Sequence, residues 1–191
     1  AERMDSKLRA KLKQEEQKRA YALLIWFLSF YSEVANVETY ITDGNDDSSC
    51  DIILDLTDNQ GIKTFYLIQS KWNSESNCSG ELDSTELKSF LSDVQVVMRG
   101  EKSGSKNSRF NARYKDLLQH IKQNGAVKAI FLCLKNRCTT TADNITATKN
   151  SIGGRLEIEI FDINRIKCDF ISRRFKGSLP PNPLNSIYSP E

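Results

Sequence analysis

The sequence predicts a layered α/β domain built on a mixed sheet, and three observations predict it. The run YALLIWFLSFY at 21–31 is apolar nearly all round and reads as a buried helix. Two alternating stretches, CDIILDLTD at 50–58 and KTFYLIQSKW at 63–72, flank a tight NQG turn and read as a hairpin. A third apolar run, VKAIFLCL at 127–134, shows no alternation, as expected of a central strand covered on both faces.

The elements follow in order. Residues 5–35 contain neither Gly nor Pro and read as one helix, charged at first around a sparse stripe of Leu8 and Leu12. VETYIT at 37–42 alternates and is β-branched, which predicts a short first strand. DGNDDSS then breaks regular structure. In the hairpin, alternation puts Asp51, Ile53 and Asp55 on one face and Ile52, Leu54 and Leu56 on the other. On the second strand Phe65, Leu67, Gln69 and Lys71 share a face. A polar connection leads to a helix from Ser84 to about Met98, with Leu87, Phe90, Leu91, Val94 and Val97 as its buried stripe. A Gly/Ser/Lys loop at 99–109 precedes an amphipathic helix that Gly125 ends. Residues 135–154 are mixed and admit a short helix; RLEIEIFDI is a further strand and NRIKCDFISRRF a short helical stretch. Residues 1–176 therefore form one domain, and the Pro-rich residues 177–191 an extended tail. No internal repeat is present.

The chain has 191 residues, 39% hydrophobic and 27% charged, enough for one domain with a sizeable core. A net charge of +2 gives no strong preference for any partner; the distribution says more. Residues 36–60 carry seven acids and no Lys or Arg, while residues 99–128 carry eight bases against Glu101 and Asp116. Acidic clusters hold divalent cations and basic stretches hold phosphates; solvated loops of opposite sign explain the same pattern equally well. The five cysteines form no tight framework and fit free thiols in a reducing cytosol. The apolar run at 21–31 is about half a membrane span, so no membrane association is expected. His120 is the only histidine and sits on an amphipathic helix, which favours a structural role and leaves no Ser-His-Asp constellation without it.

Phosphodiester hydrolysis needs a cation to polarise the phosphate, oxygen ligands to hold it and a positive group beside the developing charge. Mg²⁺ keeps several waters, so two or three protein ligands suffice. The hairpin can supply them. Asp51 opens one strand, and Gln69 and Lys71 lie two apart on the next, pointing the same way. The Asp51 carboxylate, the Gln69 side-chain oxygen and the Ser70 carbonyl are the candidate ligands of Mg²⁺ or Mn²⁺, with Lys71 reaching water or a phosphate oxygen. The plainer readings are a cap or turn role for Asp51 and a solvated face for Gln-x-Lys. Against the second stand the apolar neighbours Phe65, Leu67, Ile68 and Trp72, beside which unsatisfied polar groups are costly. Asp55 is either a further ligand or solvent-facing, and Trp72 reads as core before it reads as a base-stacking platform. Lys102, Lys106, Arg109 and Arg113 are the candidate phosphate contacts for nucleic acid, DNA foremost, with marked salt dependence. Arg173, Arg174 and Lys176 either add to these or cap a helix end.

The stretch DGNDDSSCDIILDLTDNQGIKTFYLIQSKW resembles the PD-(D/E)xK nuclease superfamily, and more narrowly the Mrr-like restriction endonucleases and the abortive-infection phage-resistance proteins whose motif ends in Gln-x-Lys. The resemblance puts the first-motif aspartate on Asp51 and Gln-x-Lys on Gln69 and Lys71. It implies a restriction-endonuclease-like three-layer fold over roughly residues 15–175 and a cytoplasmic, Mg²⁺-dependent DNA endonuclease in defence against foreign DNA. It also implies a possible homodimer and attachment to a longer multidomain protein. A glutamate on the first helix often faces such sites, and Glu33 is the candidate here. Gln69 is neutral where most of the superfamily has an acid, which keeps open a nuclease fold without catalysis that binds nucleic acid or a protein partner.

Overall fold

The computed structural model describes residues 6–175 apart from 33, 75, 79, 103, 104 and 154, with side chains described from residue 13 onward. Glu33, Lys176 and the tail at 177–191 lie outside the described residues, as do the side chains of Leu8 and Leu12.

A four-stranded mixed sheet forms the middle layer, in the order β1 (Ile52–Thr57), β2 (Lys63–Lys71), β3 (Ala126–Cys133), β4 (Leu156–Phe161). β1 runs antiparallel to β2, while β2, β3 and β4 are parallel. The antiparallel pair needs only a turn, in which the Asp58 carboxylate accepts the N–H groups of Gln60 and Ile62 and Gly61 takes φ 80°. The parallel pairs need crossovers, and helices supply them: α2 (Ser84–Arg99) and α3 (Ser108–Lys122) between β2 and β3, α4 (Thr141–Ile152) between β3 and β4. α1 (Ser6–Tyr31) precedes the sheet and α5 (Ile163–Phe175) follows it.

Alternation along the strands divides the core in two. Ile53, Phe65, Leu67, Val127, Ala129, Phe131 and Cys133 face α2, α3 and α4. Ile52, Leu54, Ile68, Ile130 and Leu132 face the apolar half of α1 and Ile166 of α5. The expected stripe of α2 is buried throughout, from Leu87 to Val97. Each such large side chain contributes about 1.5–3 kcal/mol on burial. Asp83 caps α2 by accepting the Thr85 N–H, and left-handed Gly100 (φ 72°) ends it. Asn107 caps α3 through the Phe110 N–H.

Two expectations need correction. Residues 37–42 do not form a strand; Val37–Tyr40 is a single 3-10 turn, and only Ile41 reaches a partner, in an isolated bridge to Ile52. Left-handed Asn36 starts the turn, and its carbonyl accepts both the N–H and the hydroxyl of Thr39. This local bonding outweighs the β propensity of a segment with so little ladder to join. At the end of α3, the left-handed residue is Asn124 (φ 64°) rather than Gly125. Gly125 is small for another reason: a Cβ there would overlap the His120 ring. That ring packs on Phe65 with centroids 4.9 Å apart and pairs with the Ala126 carbonyl at 3.0 Å, which gives the only histidine a structural place.

Candidate metal centre

The β1–β2 register pairs Ile52 with Ile68; carried one step further, it puts Asp51 across from Gln69. Residues directly opposite on adjacent strands face the same side. Asp51 and Gln69 therefore lie on the α2/α3 face with Ile53 and Leu67, and Lys71, two residues on, continues the row opposite Cys133. Asp51 is tied to β2, since the Ser70 N–H donates to its Oδ2 at 2.6 Å. Gln69 is only 6% exposed, and its Oε1 is buried without a hydrogen-bond partner. An orphaned amide oxygen costs on the order of 1–3 kcal/mol. The register sets Gln69 across from Asp51, and a cation held between the two side chains would satisfy that oxygen.

The loop before β1 adds two carboxylates. The Thr42 and Asp43 N–H groups both donate to the Asp51 carbonyl, at 2.8 and 3.0 Å, and the Thr42 hydroxyl donates to the Cys50 carbonyl. The Asp47 carboxylate accepts the N–H groups of Gly44 and Ser49, each at 3.0 Å. Asp46, Ser48 and Ser49 are left-handed, which lets the chain coil back on itself. One carboxylate oxygen from each of Asp43, Asp47 and Asp51 thereby comes within 4.8 Å of the others. The spacing of four residues between these acids was legible in DGNDDSSCD, but it places them together only once the loop's turns are known.

The loop is held from outside as well. Asp46 pairs with Lys102, accepts the Lys106 N–H at 3.0 Å, and receives the Ser105 hydroxyl on its carbonyl at 2.7 Å. Asn107 Nδ2 donates to the Thr42 carbonyl at 2.7 Å, and the Ser49 hydroxyl donates to Asp93 of α2.

Burial pushes the Asp51 carboxyl up to about 7; the Ser70 N–H works against this, Asp47 and Asp43 reinforce it, and Lys71 opposes it. Asp47 is raised too, chiefly by burial, with Lys71 again opposing. Three acids thus crowd a site in which the Lys71 ammonium is felt by two of them.

No family model, curated protein or solved structure matches the chain.

The structure brings Asp51, Gln69, Ser70 and Lys71 together. It sets other expected residues elsewhere. Asp55 lies four residues along β1 from Asp51 and is held by Lys63 at 2.8 Å and by Arg113. Of the four expected phosphate contacts, two carry structural pairs. Lys102 is paired with Asp46; Arg113 binds Asp55 and the Ile53 carbonyl and lies over the Tyr40 and Phe65 rings. Lys106 and Arg109 are exposed and carry no ion pair among the described residues. Trp72 packs against the α1-side core. Arg173 donates to the Phe30 carbonyl, over the Phe30 ring. A cleft of about 200 Å³ between α1 and the sheet lies on the opposite face; it is lined largely by apolar residues, and its two cations, Lys128 and Arg165, are both paired with Glu159. No helix among the described residues is long and apolar enough to cross a membrane.

Proposed function

We propose that this domain is a divalent-cation-dependent nuclease of the restriction-endonuclease-like kind, hydrolysing DNA phosphodiester bonds, and that its setting is defence against foreign DNA. The observation that carries the reading is the buried Gln69 Oε1 without a partner, on a residue that the register sets across from Asp51, with Lys71 two residues on along the same face. The donor set is all oxygen, which suits Mg²⁺ or Mn²⁺. Asp51 and Gln69 would hold the ion from adjacent strands. In an extended strand the N–H and C=O of one residue point to the same edge; the Ser70 N–H is directed at Asp51, so its carbonyl is available from that side as well. A bound cation of this kind polarises the phosphate and eases ionisation of water. Lys71 Nζ donates to a phosphate oxygen as charge builds there, and of the three side chains it alone brings a positive charge. Lys106 and Arg109, both exposed, would hold the DNA backbone.

Incubation of plasmid DNA with the protein and Mg²⁺ or Mn²⁺ tests this. Cleavage by the native chain, absent in EDTA and reduced at least about 100-fold in Lys71→Ala, supports it. Equal cleavage by both proteins, or none by either, rejects it. The neutral Gln69 favours a second reading, a nuclease-like module that binds nucleic acid without cutting it; retention of DNA without cleavage, lost at high salt, selects that reading.

A further inference from the structure

We propose that Asp43 and Asp47 of the loop before β1 bind the divalent cation together with Asp51 and Gln69, supplying the negative charge that the neutral Gln69 withholds. The inference rests on the cation-dependent reading above and assigns that site two ligands outside the hairpin.

Two independent observations meet here. The first is the convergence of three carboxylates, one oxygen of each within 4.8 Å of the others. The second is Gln69: its amide oxygen is buried and unpartnered, and the strand register, carried one step past Ile52 and Ile68, puts this residue across from Asp51, the innermost of the three acids. An acidic cluster alone would be ordinary; one backed by a buried acceptor with nothing to accept from is not.

The ligand capacity is adequate. Asp47 uses one lone pair on each oxygen for the Gly44 and Ser49 N–H groups, and each oxygen keeps another. Asp51 Oδ2 accepts from Ser70. Asp43 is exposed at the mouth. Four side-chain oxygens leave two positions of an octahedral shell, one for the Ser70 carbonyl and one for a water or phosphate oxygen. With one carboxylate and one amide the shell would carry a single negative charge; with the loop acids it carries three, more than a divalent ion needs, and Lys71 offsets the excess. The loop's own fastening differs from this role: Asp46, between the two proposed ligands, turns away to Lys102 and the Lys106 N–H.

Calorimetric titration of the purified chain with Mn²⁺ alone, without DNA, tests the assignment, using Asp43→Asn, Asp47→Asn, Asp51→Asn and Gln69→Ala, with Asp116→Asn as a charge control on α3. The expected result is saturable binding by the native chain and the control, weakened at least about tenfold in each of Asp43→Asn and Asp47→Asn. Circular dichroism checks that each variant folds; if Asp47→Asn does not, because its carboxylate ties two loop amides, the exposed Asp43 decides. Native affinity in Asp43→Asn and in any folded Asp47→Asn, with loss in Asp51→Asn or Gln69→Ala, overturns this assignment and leaves the cation-dependent reading standing. No binding of Mn²⁺ by the native chain at millimolar concentration overturns both.

Discussion

The Ser70 N–H and the Asp51 carboxylate meet at 2.6 Å where β1 has not yet begun and β2 has not yet ended. This one amide bond falls short of the cost of desolvating the carboxyl, which rises to about 7.

A pH dependence follows. In the unfolded chain Asp51 ionises near its ordinary 3.8; in the folded one near 7. Between these values the folded state holds a proton that the unfolded state has lost, so stability falls as pH rises through the window, by up to roughly 1.4 kcal/mol per pH unit. Urea midpoints in EDTA should decline from about pH 4 to pH 7 and flatten above. Asp51→Asn should remove much of that decline and melt higher than the native chain at pH 8. A midpoint that rises across this range contradicts the assignment.

The basic residues separate into two classes that one pair of experiments distinguishes. Arg113→Ala removes the bonds to Asp55 and the Ile53 carbonyl and is expected to lower stability by about 2 kcal/mol in chemical denaturation. Lys106→Ala and Arg109→Ala should leave stability within about 0.5 kcal/mol. Each should instead weaken DNA retention and reduce the slope of log affinity against log salt by about 1.

Gly125→Ala is expected to destabilise by about 1–3 kcal/mol, because the new methyl group displaces His120 from its seat on Phe65 and from the Ala126 carbonyl. In the background of His120→Ala the same substitution should cost markedly less. Additive losses in the double variant would mean that the two residues do not interact.

Gln69→Glu restores a charge at the buried oxygen. Mn²⁺ affinity should rise roughly tenfold in calorimetry at pH 8, while without cation the variant should melt below the native chain, because a fourth carboxylate is then confined with three others. A variant that melts higher in EDTA would show that the cluster is not crowded.

What the sequence made legible was whatever depends on near neighbours. The stripe from Leu87 to Val97 and the unbroken run in β3 identify their elements because burial repeats with the period of the element itself. Gln69 and Lys71 were readable for the same reason, as polar residues in an otherwise apolar strand. The failures were non-local. Lys102 and Arg113 look like phosphate ligands until their partners appear, Asp46 and Asp55, which lie 56 and 58 residues away. Asp43 and Asp47 were visible as acids, but three left-handed residues between Asp43 and Asp51 bring them together, and none of the three is a glycine that would have announced the turn. VETYIT has strand composition, yet Asn36 and Thr39 bond to each other first.

The fastening of the acidic loop to Lys102, Ser105, Lys106 and Asn107 bears on synthesis of the chain. A nascent polypeptide that has emerged only to residue 100 already carries Asp43, Asp46, Asp47 and Asp51, yet lacks every one of these anchors. The bonds of Asp47 to the Gly44 and Ser49 N–H groups and of Ser49 to Asp93 lie within such a chain, but a translation product cut short before Lys102 lacks the clamp that the start of α3 and the loop before it supply.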